Sequence, residues 1–158
     1  MLTNSIKPAT AGDAAEIAVL VGELLGEIMA VTRQQVFNFA YPETTSRLSS
    51  FLERELYFVF MGRDEHDQPA GFIALTECHA LYADGVFGVI PELYVRPAFR
   101  SIGMGRALID NAAAFGALRG WTRLEVTTPQ LPQFDRTVAF YEREGFSITG
   151  GRKLKIAL

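Results

Sequence analysis

Three stretches of this 158-residue chain hold residues whose types and spacing could do chemistry. The first runs Tyr94-Val95-Arg96-Pro97-Ala98-Phe99-Arg100-Ser101-Ile102-Gly103-Met104-Gly105-Arg106. An apolar strand pattern ends there, Pro97 turns the chain, and a helix pattern opens at a Gly-x-Gly. Backbone N–H groups at a helix start point outward with partial positive charge. Glycines let a ligand phosphate approach that backbone closely. Arg100 and Arg106 can add charge-assisted hydrogen bonds. A lone Gly-x-Gly also marks an ordinary tight turn, so both readings stand on this feature alone. The run is neither the GxxxxGK(S/T) of a P-loop nor the full GxGxxG of a dinucleotide fold.

The second stretch is Pro91-Glu92-Leu93. A proline inside a strand cannot donate a ladder bond and belongs at an edge or a bulge. Glu92 alternates with Ile90 and Tyr94, and an inward carboxylate is costly without a task or a partner. A carboxylate of raised pKa could act as a general base, directly or through water. Structural pairing is the competing reading, and Glu77 on the preceding strand is a weaker candidate base. The third stretch holds Tyr141, which with Phe134 and Val138 forms the apolar stripe of a short helix. On pattern alone Tyr141 is a core residue whose hydroxyl wants a partner. His66 and His79 are isolated, and no Ser-His-Asp or metal-ligand constellation is visible.

The elements that must position these residues follow from hydrophobic period and turn chemistry. Ser5–Ala9 suits a short strand, and residues 13–29 repeat apolar side chains at helical spacing despite Gly22 and Gly26. Residues 30–43 are ambiguous, with Pro42 ending that stretch and Thr44 or Thr45 capping a second helix to about Glu55. Leu56–Met61 and Ala70–Leu81 read as a hairpin, and Asp84-Gly85 as a tight turn into a strand over Val86–Val95. A helix over Ile102–Arg119 closes at Gly120. A strand over Arg123–Thr127, a helix from Asp135 to Glu144 stopped by Gly145, and strands over Phe146–Thr149 and Arg152–Ala157 complete the chain. This order predicts an α+β domain with one mixed sheet.

Arg100-Ser101-Ile102-Gly103-Met104-Gly105 matches the (R/Q)-x-x-G-x-(G/A) pyrophosphate loop of the GCN5-related N-acetyltransferases (GNAT), and Glu92-Leu93-Tyr94-Val95 matches the end of their fourth strand. Ala139-Phe140-Tyr141-Glu142-Arg143-Glu144-Gly145-Phe146 resembles their "FYxxxGF" segment, and Ile6-Lys7-Pro8-Ala9-Thr10 with Asp13 and Ile17 their usual opening. The resemblance covers roughly the whole chain. It implies a single GNAT domain over residues 1–158, with a central, mostly antiparallel mixed sheet, a splayed strand pair and about four helices. It implies acetyl-CoA as cosubstrate, with cofactor contacts at Leu93, Tyr94, Val95, Arg100, Ser101, Ile102, Gly103, Met104, Gly105, Arg106 and Phe140. A bulge at Pro91 would open a V-shaped slot for the pantetheine arm, and a backbone N–H near Leu93 would stabilise the oxyanion. Glu92 would be the base and Tyr141 the acid for the departing thiolate. One departure from the pattern is Phe134, where many members carry an asparagine that contacts the cofactor.

The expected activity is transfer of an acyl group, acetyl above all, to a primary amine of a small molecule by direct attack. Acetylation of protein N-termini and a non-catalytic acyl-CoA sensor are the alternatives. Phe37, Tyr41 and Glu77 are the candidate acceptor contacts. Residues 1–90 carry net charge −7 and residues 91–158 net +4, so the second half suits the anionic ligand. The acidic balance, −3 overall, argues against nucleic acid. No stretch free of charged residues exceeds nine, against the ~20 apolar residues of a membrane span. The opening ten residues lack a secretory leader pattern. Cys78 stands alone, which excludes an internal disulfide and Cys-rich metal sites and fits a reducing cytoplasm. Dimers are common in the resembled family, so a homodimer is carried as a candidate assembly.

Overall fold

The computed structural model describes residues 5–158. The first four residues, part of the opening read for a leader, lie outside that range. Strand β1 (Ser5–Pro8) leads through a 3-10 turn to helix α1 (Ala14–Thr32), followed by α2 (Tyr41–Glu53), β2 (Phe58–Arg63), β3 (Pro69–Ala80), β4 (Gly85–Ile90), β5 (Leu93–Val95), α3 (Met104–Leu118), β6 (Leu124–Val126) and α4 (Asp135–Arg143). The chain forms two compact units, Met1–Thr127 and Thr128–Leu158.

In the first unit the six strands make one sheet in the order β1-β2-β3-β4-β6, with β5 paired to β3. All pairs are antiparallel except β4–β6. Side-chain alternation divides the core between the sheet's two faces. Val59, Met61, Phe72, Ala74 and Tyr94 pack with Ala14, Ile17 and Leu20 of α1 and Leu48 of α2. Phe58 and Phe60 turn the other way, with ring centroids 4.9 and 5.6 Å from Phe115 of α3. On that face Trp121 fills the hollows at Gly88 and Gly116, where its ring would lie against any added Cβ.

The α+β class with a mixed sheet is as the sequence predicts, but three local expectations change. Helix α1 runs through both glycines to Arg33, and the ring of Phe39 covers Gly22. Pro42 starts α2 rather than ending the segment before it. A first-turn residue needs no intrahelical N–H partner, so proline is tolerated there. Residues 144–158 form no strand. Apolar alternation supplies a strand with a face but not with a partner, and Ile148, Leu154 and Ile156 are left 76–89% exposed.

The second unit holds α4. Gly145, at φ 98°, reverses the chain so that the Phe146 N–H donates to the Tyr141 carbonyl at 3.0 Å. Only glycine adopts that backbone at little cost. The turn returns the Phe146 ring to Tyr141, 5.3 Å between centroids.

Candidate active site

The run predicted as one strand, Val86–Val95, is broken at Pro91-Glu92. Its first part pairs through Gly85–Val89 with Ala80–Thr76, and its second through Leu93–Val95 with Ile73–Gly71. Across the second junction the Ala74 N–H donates to the Glu92 carbonyl and the Arg96 N–H to the Ala70 carbonyl, both at 2.9 Å. Backbone groups of even-numbered residues therefore face β3, and those of Leu93 and Val95 face the opposite edge. Strand β6 pairs only with Gly88–Ile90. Among the described residues no strand pairs with the outer edge of β5, which leaves an open ladder there. An extended amide-bearing arm can add to such an edge as a further strand.

Glu92 sits at the break. Burial pushes its carboxyl above the ordinary carboxylate range, while a hydrogen bond from the Tyr57 hydroxyl pulls the other way. Tyr57 holds its own proton tightly, through burial and the neighbouring Glu92 charge. Its ring lies 5.1 Å from Phe51 of α2 and packs on the α1–α2 face of the core. Glu77 behaves oppositely. Its Oε1 accepts from Arg119 Nε at 2.6 Å and Trp121 Nε1 at 2.8 Å. Those bonds, Arg119's first, hold it below the usual range. The two carboxyls leave opposite faces of the sheet, Glu92 towards Tyr57 and Glu77 towards the end of α3.

Beyond β5, Ser101 and Gly103 have φ of 63° and 94°, and Gly103 is the N-cap of α3. The first intrahelical bond joins the Ala107 N–H to the Gly103 carbonyl at 3.0 Å. The amides ahead of it, Met104 and Gly105 among them, have no carbonyl in the preceding turn to bond. Residues 101–103 are exposed, and nothing lies within 4 Å of the absent Gly103 Cβ. This cradle fits a pyrophosphate bound by backbone amides. Met104 itself is fully buried against Gly62, so it can offer a ligand only its backbone. Arg106 pairs loosely with Asp110 at 3.9 Å on the surface. The Arg100 guanidinium turns back to the Val95 carbonyl and to Glu27 of α1, each at 2.8 Å. Tyr94 is buried beneath it.

In the second unit Tyr141 is buried, with Phe140 and Phe146 rings 5.2 and 5.3 Å away. Burial raises its hydroxyl well above the ordinary phenol range, so it stays protonated. Phe37 lies in the 33–40 connection and Tyr41 opens α2, both exposed. Sequence reasoning missed Tyr57, whose aromatic ring before a buried strand looks like any core residue. It also missed Glu23 and Glu27, which pair with Arg96 and Arg100.

The acetyltransferase (GNAT) domain family matches residues 54–148. Peptidyl-lysine N-acetyltransferase YjaB of Escherichia coli (strain K12) is 31% identical over 87 residues, 55% of this chain and 48% of that protein. The match thus spans about half the length of that curated relative. Integron cassette protein HFX_CASS3, from the mobile metagenome of Cole Harbour Salt Marsh, superposes with TM-score 0.80 at 23% identity, over 97% of this chain and 90% of that one. A Clostridium acetobutylicum protein described as a predicted acetyltransferase, its structure determined with acetyl-CoA, gives 0.78 at 17% identity, over 98% and 96%. At those identities the two structures speak for the fold alone. The family match covers more than half of the chain and includes the split strand, the loop and the Tyr141 helix: this chain belongs to the GNAT acetyltransferase family.

Proposed function

We propose that the chain transfers an acetyl group from acetyl-CoA to a primary amine of a small molecule, by direct attack within a ternary complex. The observation that carries this reading is the open edge of β5 beside Glu92, a carboxyl of raised pKa. Acetyl-CoA would supply the thioester to be attacked. The amides around Ser101–Gly105 would hold its pyrophosphate, and the backbone of Leu93 and Val95 its pantetheine arm. The Leu93 N–H would donate to the thioester oxygen as negative charge develops there. Glu92 would accept the proton of the incoming ammonium, its raised pKa making it a stronger base than a surface carboxylate. Glu77, held low by two donors and on the other face, is poorly suited to that task. Tyr141, which keeps its proton, would be the source of the proton taken up by the departing thiolate. Among the described residues none is arranged as a covalent nucleophile, which favours direct attack.

The −7 charge of residues 1–90 supports a cationic or neutral acceptor. Glu23 and Glu27 supply two of those charges and are paired with Arg96 and Arg100, which leaves net −5 from the rest of residues 1–90. The likeness to a peptidyl-lysine acetyltransferase favours a second reading, a lysine side chain in a peptide. Free-thiol release from acetyl-CoA over small amines, lysine peptides and peptides with free N-termini tests these. Turnover of small cationic amines supports the first reading. Turnover confined to peptides replaces it, and acetyl-CoA binding without turnover of any amine would make the chain a sensor.

A further inference from the structure

The acyl-CoA loop is anchored to α1 by a pair of carboxylates one helical turn apart. Glu23 and Glu27 share a face of α1 by their i, i+4 spacing. Glu23 Oε2 accepts from Arg96 Nε at 3.1 Å, and Glu27 Oε2 from an Arg100 terminal nitrogen at 2.8 Å. The two arginines bracket the 3-10 turn Pro97–Phe99 that carries the chain from β5 to α3. Each is tied down again at its other end, Arg96 to the Pro69 carbonyl and Arg100 to the Val95 carbonyl, both at 2.8 Å. The Arg100 guanidinium also lies 5.7 Å from the Tyr94 ring centroid.

These contacts place Arg100 on the wrong side to be chiefly a phosphate ligand. Tyr94 packs on the α1–α2 face of the sheet. The loop amides lead into α3, whose Phe115 and Met104 pack on the opposite face. The Arg100 side chain is drawn towards α1, while its backbone leads the cradle towards α3. We infer that Glu27 is a positioning residue for acyl-CoA binding: through Arg100 it holds the β5–α3 turn in the conformation that aligns the Ser101–Gly105 amides. Arg100 is then a brace first, and the cofactor is held mainly by backbone. Glu23 plays the same part through Arg96.

This inference rests on the reading of the chain as an acetyl-CoA binder, and the test separates the two. The perturbation is Glu27→Gln, which keeps the size of the side chain and removes its charge. If Arg100 were a direct phosphate ligand, Glu27 would compete with the phosphate for it. Removing the charge would then release Arg100 and tighten binding. If Glu27 is a brace, binding weakens. Both side chains are about 40% exposed. A pair that exposed is worth ~0.2–1 kcal/mol, so the expected loss is about 1.5- to 5-fold in Kd.

Isothermal calorimetry with acetyl-CoA on the full chain reads this without any acceptor. Arg100→Gln should weaken binding, and Glu27→Gln combined with Arg100→Gln should weaken it no further than Arg100→Gln alone, because the two residues act as one unit. Unchanged or tighter binding by Glu27→Gln overturns the inference, as does an additive double variant. Should Glu27→Gln fold poorly, Glu27→Asp, which shortens the reach to Arg100, carries the same expectation. Wild-type protein that does not bind acetyl-CoA would overturn the functional reading itself.

Discussion

Replacing Gly71 by alanine should damage acetyl-CoA binding from beneath the site. Gly71 lies on β3 opposite Val95 of β5. A Cβ there would meet the Tyr94 carbonyl oxygen at 2.7 Å, Val95 Cα at 3.2 Å and Val95 Cγ2 at 3.3 Å. Two of these three are backbone atoms, so no rotamer change relieves them. Ordinary contact begins near 3.4 Å, and β5 must therefore retreat by roughly 0.7 Å. Overpacking of that kind costs about 1–3 kcal/mol. Alanine in place of a strand glycine returns only about 0.5–1 kcal/mol. The net is a loss of stability, read as a lower denaturant midpoint at unchanged slope. The displaced strand is also the one whose Leu93 and Val95 groups would bond the pantetheine arm. A bond of about 2.9 Å whose strand partner shifts by roughly 0.7 Å towards the arm no longer has hydrogen-bond geometry with the arm in its place. Each bond lost costs about 0.5–1.5 kcal/mol, or about 2- to 13-fold in Kd. Calorimetry with acetyl-CoA, alongside urea unfolding, measures both effects. A variant with wild-type midpoint and wild-type Kd would show that β5 yields without consequence and would refute the slot as described.

Three further outcomes are expected. Glu92→Gln should lower kcat by ~10²–10⁴-fold and remove the acidic limb of the pH–rate profile. Because burial raises the folded pKa of Glu92, ionisation costs stability as pH climbs past 4.5, its ordinary value, and through the folded value. The Gln variant should therefore gain in Tm relative to wild type with rising pH, and a parallel Tm–pH curve would contradict this. Tyr57→Phe removes the hydroxyl that favours the Glu92 carboxylate, so the acidic limb should move to higher pH while acetyl-CoA affinity holds; an unmoved limb makes Tyr57 packing only. Tyr141→Phe should lower kcat at the mild end of the ~10²–10⁴ range, since a thiolate of pKa about 8.5 leaves readily, and should leave acetyl-CoA affinity intact. A wild-type kcat would return Tyr141 to the core.

What the sequence by itself determined is what depends on neighbours along the chain. Helix and strand periods, the left-handed turn at Gly145, the Gly103 helix start and the motif from Arg100 to Gly105 are all local. Backbone sterics and i, i+4 spacing act over a few residues, so these features could be read in order and led to the right family. Pro91 marked an edge or a bulge, because a missing N–H is a property of one residue, but the pattern ran on as one strand over Val86–Val95. The tertiary structure decided matters that join residues far apart. Glu77 and Glu92 look alike in sequence, two carboxylates in apolar strands. Only folding brings Arg119 and Trp121, 42 and 44 residues away, onto one of them and a tyrosine hydroxyl onto the other. A carboxyl's pKa is set by burial and by charges across space, neither of which a strand pattern encodes. Arg100 likewise reads as a phosphate ligand from its motif, and meets its partner on α1 73 residues earlier. The segment after Gly145 shows the converse. Its alternation suits a strand, but a strand exists only when another backbone offers hydrogen bonds, and pairing is a property of the fold rather than of the segment.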